Sequence, residues 1–138
     1  MKVINLGEQN SVLNQFVSEI RDVNIQKDSL RFRRNLERIG EIFAYEISKT
    51  LNYVPSEVET PLGIANIQLC NQTIVLGTIL RAGLPLHQGL LNYFDCAQNS
   101  FIAAYRKYGK DNKFTIQIEY ASSPKLEGKI LILADTML

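Results

Sequence analysis

Long hydrophobic runs are missing from this chain of 138 residues, and no apolar stretch reaches the length that crosses a bilayer. The opening MKVINLGEQN also lacks the apolar centre of a secretion signal. The expectation is a cytoplasmic protein with no membrane partner. Cysteine is scarce: Cys70 and Cys96 lie far apart, with no CxxC or Cys/His spacing, which excludes a recognisable zinc site and fits reduced thiols. Histidine occurs once, as His87, one turn into a predicted helix, and reads as a partly buried helix residue rather than a base. An excess of one charge is absent too. Lys and Arg number 15 against 14 Asp and Glu, so the whole-chain field favours no nucleic acid, and any anion site must come from local placement. There is no P-loop, no GxGxxG and no Ser/His/Asp order to follow.

What is present is ordinary for a globular domain, with 46% apolar and 21% charged residues. The length suits a single domain over residues 1–138, with N-terminal helices over 1–51 and an α/β core from 52 onward. In SVLNQFVSEIRD, Val12, Leu13, Phe16, Val17 and Ile20 share one helical face, and Ser11 stands where a cap belongs. A longer helix is predicted from about Asp28 to Leu51, with Phe32, Leu36, Ile39, Phe43 and Ile47 as its buried stripe. Arg31, Arg34 and Arg38 fall on another side of that helix, relieved by Glu37 and Glu41. They predict either a solvated face or a surface for an anionic partner such as RNA.

Beyond the helices the pattern changes. Pro61 and Gly63 separate two short extended runs, which predicts a hairpin or a turn before an edge strand. TIVLGTIL (73–80), SFIAAY (100–105) and KILILA (129–134) are continuous apolar runs of the kind that parallel strands show when both their faces are covered. LPLHQGLLNYF (84–94), with Pro85 in its first turn, predicts a helix between the first two, hence a right-handed β-α-β crossover. KFTIQIEY alternates, with Phe114, Ile116, Ile118 and Tyr120 expected on one face of a half-exposed strand in a hairpin beside the main sheet.

Each buried run leads into a polar residue. Arg81, Ala82 and Gly83 follow the first, Arg106 the second, and Asp135 and Thr136 the third. In open α/β sheets the ligand crevice lies outside the carboxyl ends of the strands, so parallel neighbours would bring two guanidiniums and a carboxylate to one edge. Arginine forks match phosphate oxygens two at a time. Gly83 is expected to let backbone approach an anion and to free its N–H, with the following helix adding its positive end. Asp135 suits a sugar hydroxyl, or magnesium through water. A sugar carrying several phosphates, accompanied by magnesium, satisfies the set.

TILRAGLPLHQGLL, AAYRKY and LILADTML resemble the uracil phosphoribosyltransferase family, within the type I phosphoribosyltransferases, and SLRFRRNLERIGEIFAYEISKTL resembles that family's long N-terminal helix. The resemblance spans roughly residues 25–138. It implies a Rossmann-like parallel-sheet core with a β-hairpin excursion, incomplete at its C-terminal end. The implied reaction is transfer of 5-phosphoribosyl from phosphoribosyl diphosphate to uracil, giving UMP and diphosphate in pyrimidine salvage, with Mg2+ carried by the donor. It further implies donor binding by Arg81, Ala82, Gly83, Arg106, Asp135, Thr136, Met137 and Leu138, with Asp135 also in the catalytic role, and a homodimer or higher homo-oligomer.

Three departures mark this chain. Thr136 stands where the family usually has proline, GLPLHQG replaces a more usual GLGM followed by an acidic residue and glycine, and Ala134 precedes Asp135 where many phosphoribosyltransferases have an acid. The last departure makes a direct protein–metal bond unexpected. The family motif continues past the position of Leu138 with a Gly-rich phosphate loop and a helix. The expectation is therefore the N-terminal part of a longer enzyme, inactive alone or completed elsewhere. Two alternatives stay open: a nucleotide-sensing regulator on the same fold without turnover, and an interaction module using the basic face of the second helix.

Overall fold

A computed structural model describes residues 3–108 and 113–136. Helix α1 (Val12–Arg21) opens on Ser11, whose hydroxyl accepts the Leu13 N–H at 3.3 Å. Asp22 ends it, accepting the N–H groups of Asn24 and Ile25 and turning the chain toward α2 (Ser29–Ser48). Asp28 caps α2 by accepting from Leu30 and Arg31, which satisfies two of the orphan donors of the first turn. Most of the expected stripe is in place: Leu36 and Ile39 are buried and Phe43 and Ile47 pack against the core, whereas Phe32 is only partly buried and lies outside the core cluster, and Ala44, which the stripe did not include, is fully buried. The helix stops at Ser48, earlier than Leu51, because Thr50 and Leu51 fold into a turn.

The hairpin forms as strands β1 (Tyr53–Thr60) and β2 (Gly63–Cys70), an antiparallel ribbon that is a sheet of its own. The second sheet has the order β5-β4-β3-β6, built from β3 (Ile74–Leu80), β4 (Gln98–Tyr108), β5 (Phe114–Ser122) and β6 (Ile130–Ala134). The strands β4, β3 and β6 run parallel, and β5 returns antiparallel along β4. Between β3 and β4 lies α3 (Leu84–Leu91), with Pro85 in its first turn, as the crossover pattern predicts.

Cross-strand partners share a face, so the register sorts the side chains. Ile74, Leu76 and Thr78 of β3, with Ile132 and Ala134 of β6, face α3 and α2 and form the core. The opposite face carries Val75, Gly77, Leu131 and Leu133, and here the prediction of burial on both sides is corrected. Leu131 and Leu133 are 45% and 57% exposed, because among the described residues only one face of the sheet is covered by helices. A second correction concerns β5. Register slips between Ala103 and Ala104, which pair with Tyr120 and Ile118, so Glu119 is extra. That bulge turns Tyr120 away from Phe114, Ile116 and Ile118, and all four are exposed rather than half-covered.

Helix α2 meets α3 backbone to backbone. A Cβ on Gly89 would lie 2.0 Å from the Glu37 carbonyl oxygen, and one on Gly40 would lie 2.4 Å from that of Leu86. Asn92 closes the same crossing by donating to the carboxylates of Glu37 and Glu41. Between α1 and α2, the fully buried Asn35 donates to Glu19 at 2.7 Å and accepts from Arg38, while Arg31 pairs with Glu19 at 3.2 Å.

Two expected outcomes follow from these contacts. Gly89→Ala costs at least about 3 kcal/mol in denaturant unfolding, since a rigid carbonyl must move to admit the methyl. Hydrogen bonds from Gln15, Asn35 and Arg31 hold the Glu19 carboxyl at about 2, below its ordinary 4.5. A depressed carboxylate contributes stability above its unfolded value and loses it as pH falls. Thermal midpoints of the protein and of Glu19→Gln therefore differ most at neutral pH and converge as pH drops from 4.5 toward about 2.

Candidate donor-binding rim

Three adjacent strands end on one edge of the main sheet. Register gives their relative heights: Thr78 of β3 lies beside Phe101 of β4 and Ala134 of β6, and Leu80 lies beside Ala103. Asp135 therefore follows the last rung of β6, Arg81 leaves β3 two residues higher, and Arg106 stands two residues higher again on β4. With a rise of about 3.3 Å per residue and strands about 4.8 Å apart, the three form a diagonal staircase across neighbouring strands. Arg106 shares its face with Ile116 and Ile118, the uncovered side of the sheet.

Arg106 does not follow a strand end as the sequence suggested. Its strand continues to Tyr108, held by pairing to β5, and Arg106 itself pairs with Ile116. The guanidinium lies over the Phe114 ring, 5.1 Å from its centroid, and among the described residues no carboxylate takes its N–H donors. Arg81 and Ala82 are exposed, and the Leu80–Arg81 peptide is cis. Among the described residues the Arg81 guanidinium makes no hydrogen bond or ion pair with the protein. Next to Arg106, partial burial and then the Glu119 carboxylate push the Tyr105 phenol above its ordinary value, so it stays protonated at neutral pH.

Gly83 has a different job from the one expected. Its N–H donates to the Ile79 carbonyl at 3.2 Å and is not free for an anion. A Cβ there would sit 2.0 Å from the Thr78 hydroxyl oxygen and 2.9 Å from the Ile79 carbonyl oxygen, so glycine is required by contact with β3. Leu84 likewise donates to Arg81, so the start of α3 is closed by its own loop. Asp135 is exposed and accepts the Thr136 N–H at 2.8 Å, while the half-buried Thr136 keeps its hydroxyl enclosed. Met137 and Leu138 lie outside the described residues.

Thr78 escaped the sequence reading. It is fully buried and donates to the Ala134 carbonyl at 3.0 Å, and its one sequence signal is a hydroxyl inside an otherwise apolar strand. A second signal was available for Arg81: from Thr60 to Phe94 it is the sole Lys, Arg, Asp or Glu. His87 lies on a helix as expected but is buried rather than partly buried, with Nε2 2.8 Å from the Asn99 Oδ1 and the ring 5.1 Å from Phe101. Cys70 and Cys96 are exposed yet line one cleft of about 310 Å³ with Tyr53 and Tyr93.

The basic face of α2 is engaged internally. Arg31 pairs with Glu19, Arg34 with Glu37, and Arg38 donates to Asn35 while its guanidinium lies 5.2 Å from the Phe16 centroid. Among the described residues no cluster of three or more His, Cys, Asp or Glu side chains is assembled, and no helix is long and apolar enough to cross a membrane.

The model of the uracil phosphoribosyltransferase family matches residues 7–138. A Porphyromonas gingivalis protein named uracil phosphoribosyltransferase is 55% identical over 138 residues, covering 100% of this chain and 64% of its own length. A protein of the same name from Methanothermobacter thermautotrophicus is 38% identical over 131 residues, covering 94% of this chain and 59% of its own. Among solved structures, the AQ2163 protein from Aquifex aeolicus superposes with a TM-score of 0.79 at 26% identity, over 92% of this chain and 59% of that one. The chain thus spans less than two thirds of the length of these relatives.

Proposed function

The chain belongs to the uracil phosphoribosyltransferase family, and from that membership we propose that its protein transfers 5-phosphoribosyl from phosphoribosyl diphosphate to uracil, giving UMP and diphosphate. The observation that carries the reading is the rim itself. Arg81 and Arg106, on neighbouring strands, each present a fork that no carboxylate of the described residues neutralises, and Asp135 follows the strand on the other side of β3.

The chemistry follows from charge. Two arginines hold the diphosphate of the donor and stabilise the negative charge that grows as its bond to the anomeric carbon breaks. That carbon turns oxocarbenium-like, uracil nitrogen closes on it, and the ring proton leaves to solvent. Asp135 accepts from the ribose hydroxyls and fixes the sugar while its other end departs. Asp135 is the exposed carboxylate of this rim and would hold a donor-borne magnesium ion only through water; such an ion would supply charge neutralisation to the diphosphate.

The proposal extends to assembly and place. Every residue of β2 is exposed, and register puts Val54, Val58, Ile67 and Leu69 on one face of the ribbon. A two-stranded ribbon with an open apolar face is marginal by itself in water, and a second copy of the chain is the partner we assign to it. Solvent-facing arginines and unpaired thiols fit a cytoplasmic enzyme.

Two measurements test the reading. Arg81→Ala in the full-length protein lowers kcat/KM for UMP formation by about 10²- to 10³-fold, as loss of a transition-state donor does, and shifts unfolding by less than about 0.5 kcal/mol. An unchanged rate sinks the assignment of Arg81. Light scattering after gel filtration reads the assembly: the wild type runs above monomer mass, and the double substitution Ile67→Glu, Leu69→Glu runs as a monomer.

A further inference from the structure

We propose that Thr78 is a positioning residue that ties the Arg81 loop to the strand delivering Asp135. The inference rests on the reading of the rim as a donor site and names the part that sets its spacing. Four contacts carry it. Thr78 is fully buried at the last paired rung between β3 and β6, opposite Ala134. Its hydroxyl donates to the Ala134 carbonyl at 3.0 Å, one residue before Asp135. On its other side the hydroxyl meets Gly83 so closely that a Cβ there would lie 2.0 Å away. Gly83 in turn donates to Ile79, which closes the loop holding Arg81 and Ala82.

The choice of side chain is informative. Thr78 continues the core-facing row of Ile74 and Leu76, where valine has the same shape and a higher affinity for an apolar site. Burying a hydroxyl costs free energy unless it is bonded, and here it is bonded to the backbone of the strand that carries the carboxylate. One oxygen therefore contacts the residue before Asp135 and packs against the loop that carries Arg81. A donor that places its diphosphate at Arg81 and its ribose at Asp135 needs those ends at a fixed separation, and small misplacements cost orders of magnitude in rate. Uracil carries neither phosphate nor ribose and so calls on neither Arg81 nor Asp135.

Thr78→Val and Thr78→Ser separate this role from simple packing. In the full-length protein, Thr78→Val raises KM for phosphoribosyl diphosphate about tenfold, leaves KM for uracil within about twofold, and Thr78→Ser restores the donor KM. Amide hydrogen exchange gives a reading independent of turnover: residues 81–83 and 134–136 exchange faster together in Thr78→Val and return to wild-type rates in Thr78→Ser. A Thr78→Val protein with wild-type exchange at both segments, or with both Michaelis constants raised equally, overturns the proposal. A wild-type protein that makes no UMP overturns the functional reading instead, and the exchange comparison still decides whether Thr78 couples the two segments.

Discussion

The close crossing of α2 and α3 governs the rest of the structure. Gly40 and Gly89 leave no room for a methyl group between the helices, so α3 sits directly on α2 backbone rather than on a cushion of side chains. Leu86 and Leu90 of α3 then reach the sheet, where they pack with Leu76 and Ile74. The start of α3 is fixed by the same docking, and Gly83 at that start lies against Thr78. The height of the Arg81 loop above the sheet thus inherits its value from a helix crossing at the far end of α3. Glycine is unfavourable inside a helix by roughly 1 kcal/mol relative to alanine, and both helices carry that cost in exchange for contact.

Covering one face of the sheet and not the other gives the rim its asymmetry. Core residues face α3, whereas Arg106 lies on the side that also exposes Leu131, Leu133, Ile116 and Ile118. An aromatic ring lies beneath the Arg106 guanidinium, and among the described residues no carboxylate pairs with it or with Arg81. Stability is supplied by buried apolar contacts and by the polar bridge of Asn35, Glu19 and Arg38 between the helices, remote from the rim. The rim can therefore remain electrostatically open at little cost to folding.

Sequence made some of this legible because the relevant physics is local. Ser11 and Asp28 cap helices within three residues of their own position, and the stripe of Leu36, Ile39 and Ile47 follows from helical period alone. The apolar runs that became β3 and β6 are equally visible, and each ends at a residue the family resemblance also singles out. Long-range relations were not legible. Gly40 and Gly89 look like weak points in their helices until the partner backbone is in place. The bulge at Glu119 depends on pairing with β4 and reverses Tyr120 relative to its alternation. Whether a strand continues past Arg106 depends on a return strand that pairs with it, and the single covered face depends on which helices pack where.

Arginine has two fates in this chain, and the difference separates structure from site. On α2, each arginine of the basic face has a partner one turn away or on the neighbouring helix: Arg31 finds Asp28 and Glu19, Arg34 finds Glu37, and Arg38 finds Asn35. Such i,i+3 neighbours turn a run of like charge into a self-satisfied surface, which is why that face offers little to an anionic partner. Arg81 is placed otherwise. Its flanking strand and helix contain no acid from Thr60 to Phe94, so no local partner exists for it to fold onto. A guanidinium with no counter-ion among the described residues retains its capacity for an incoming phosphate, which is the role proposed for Arg81.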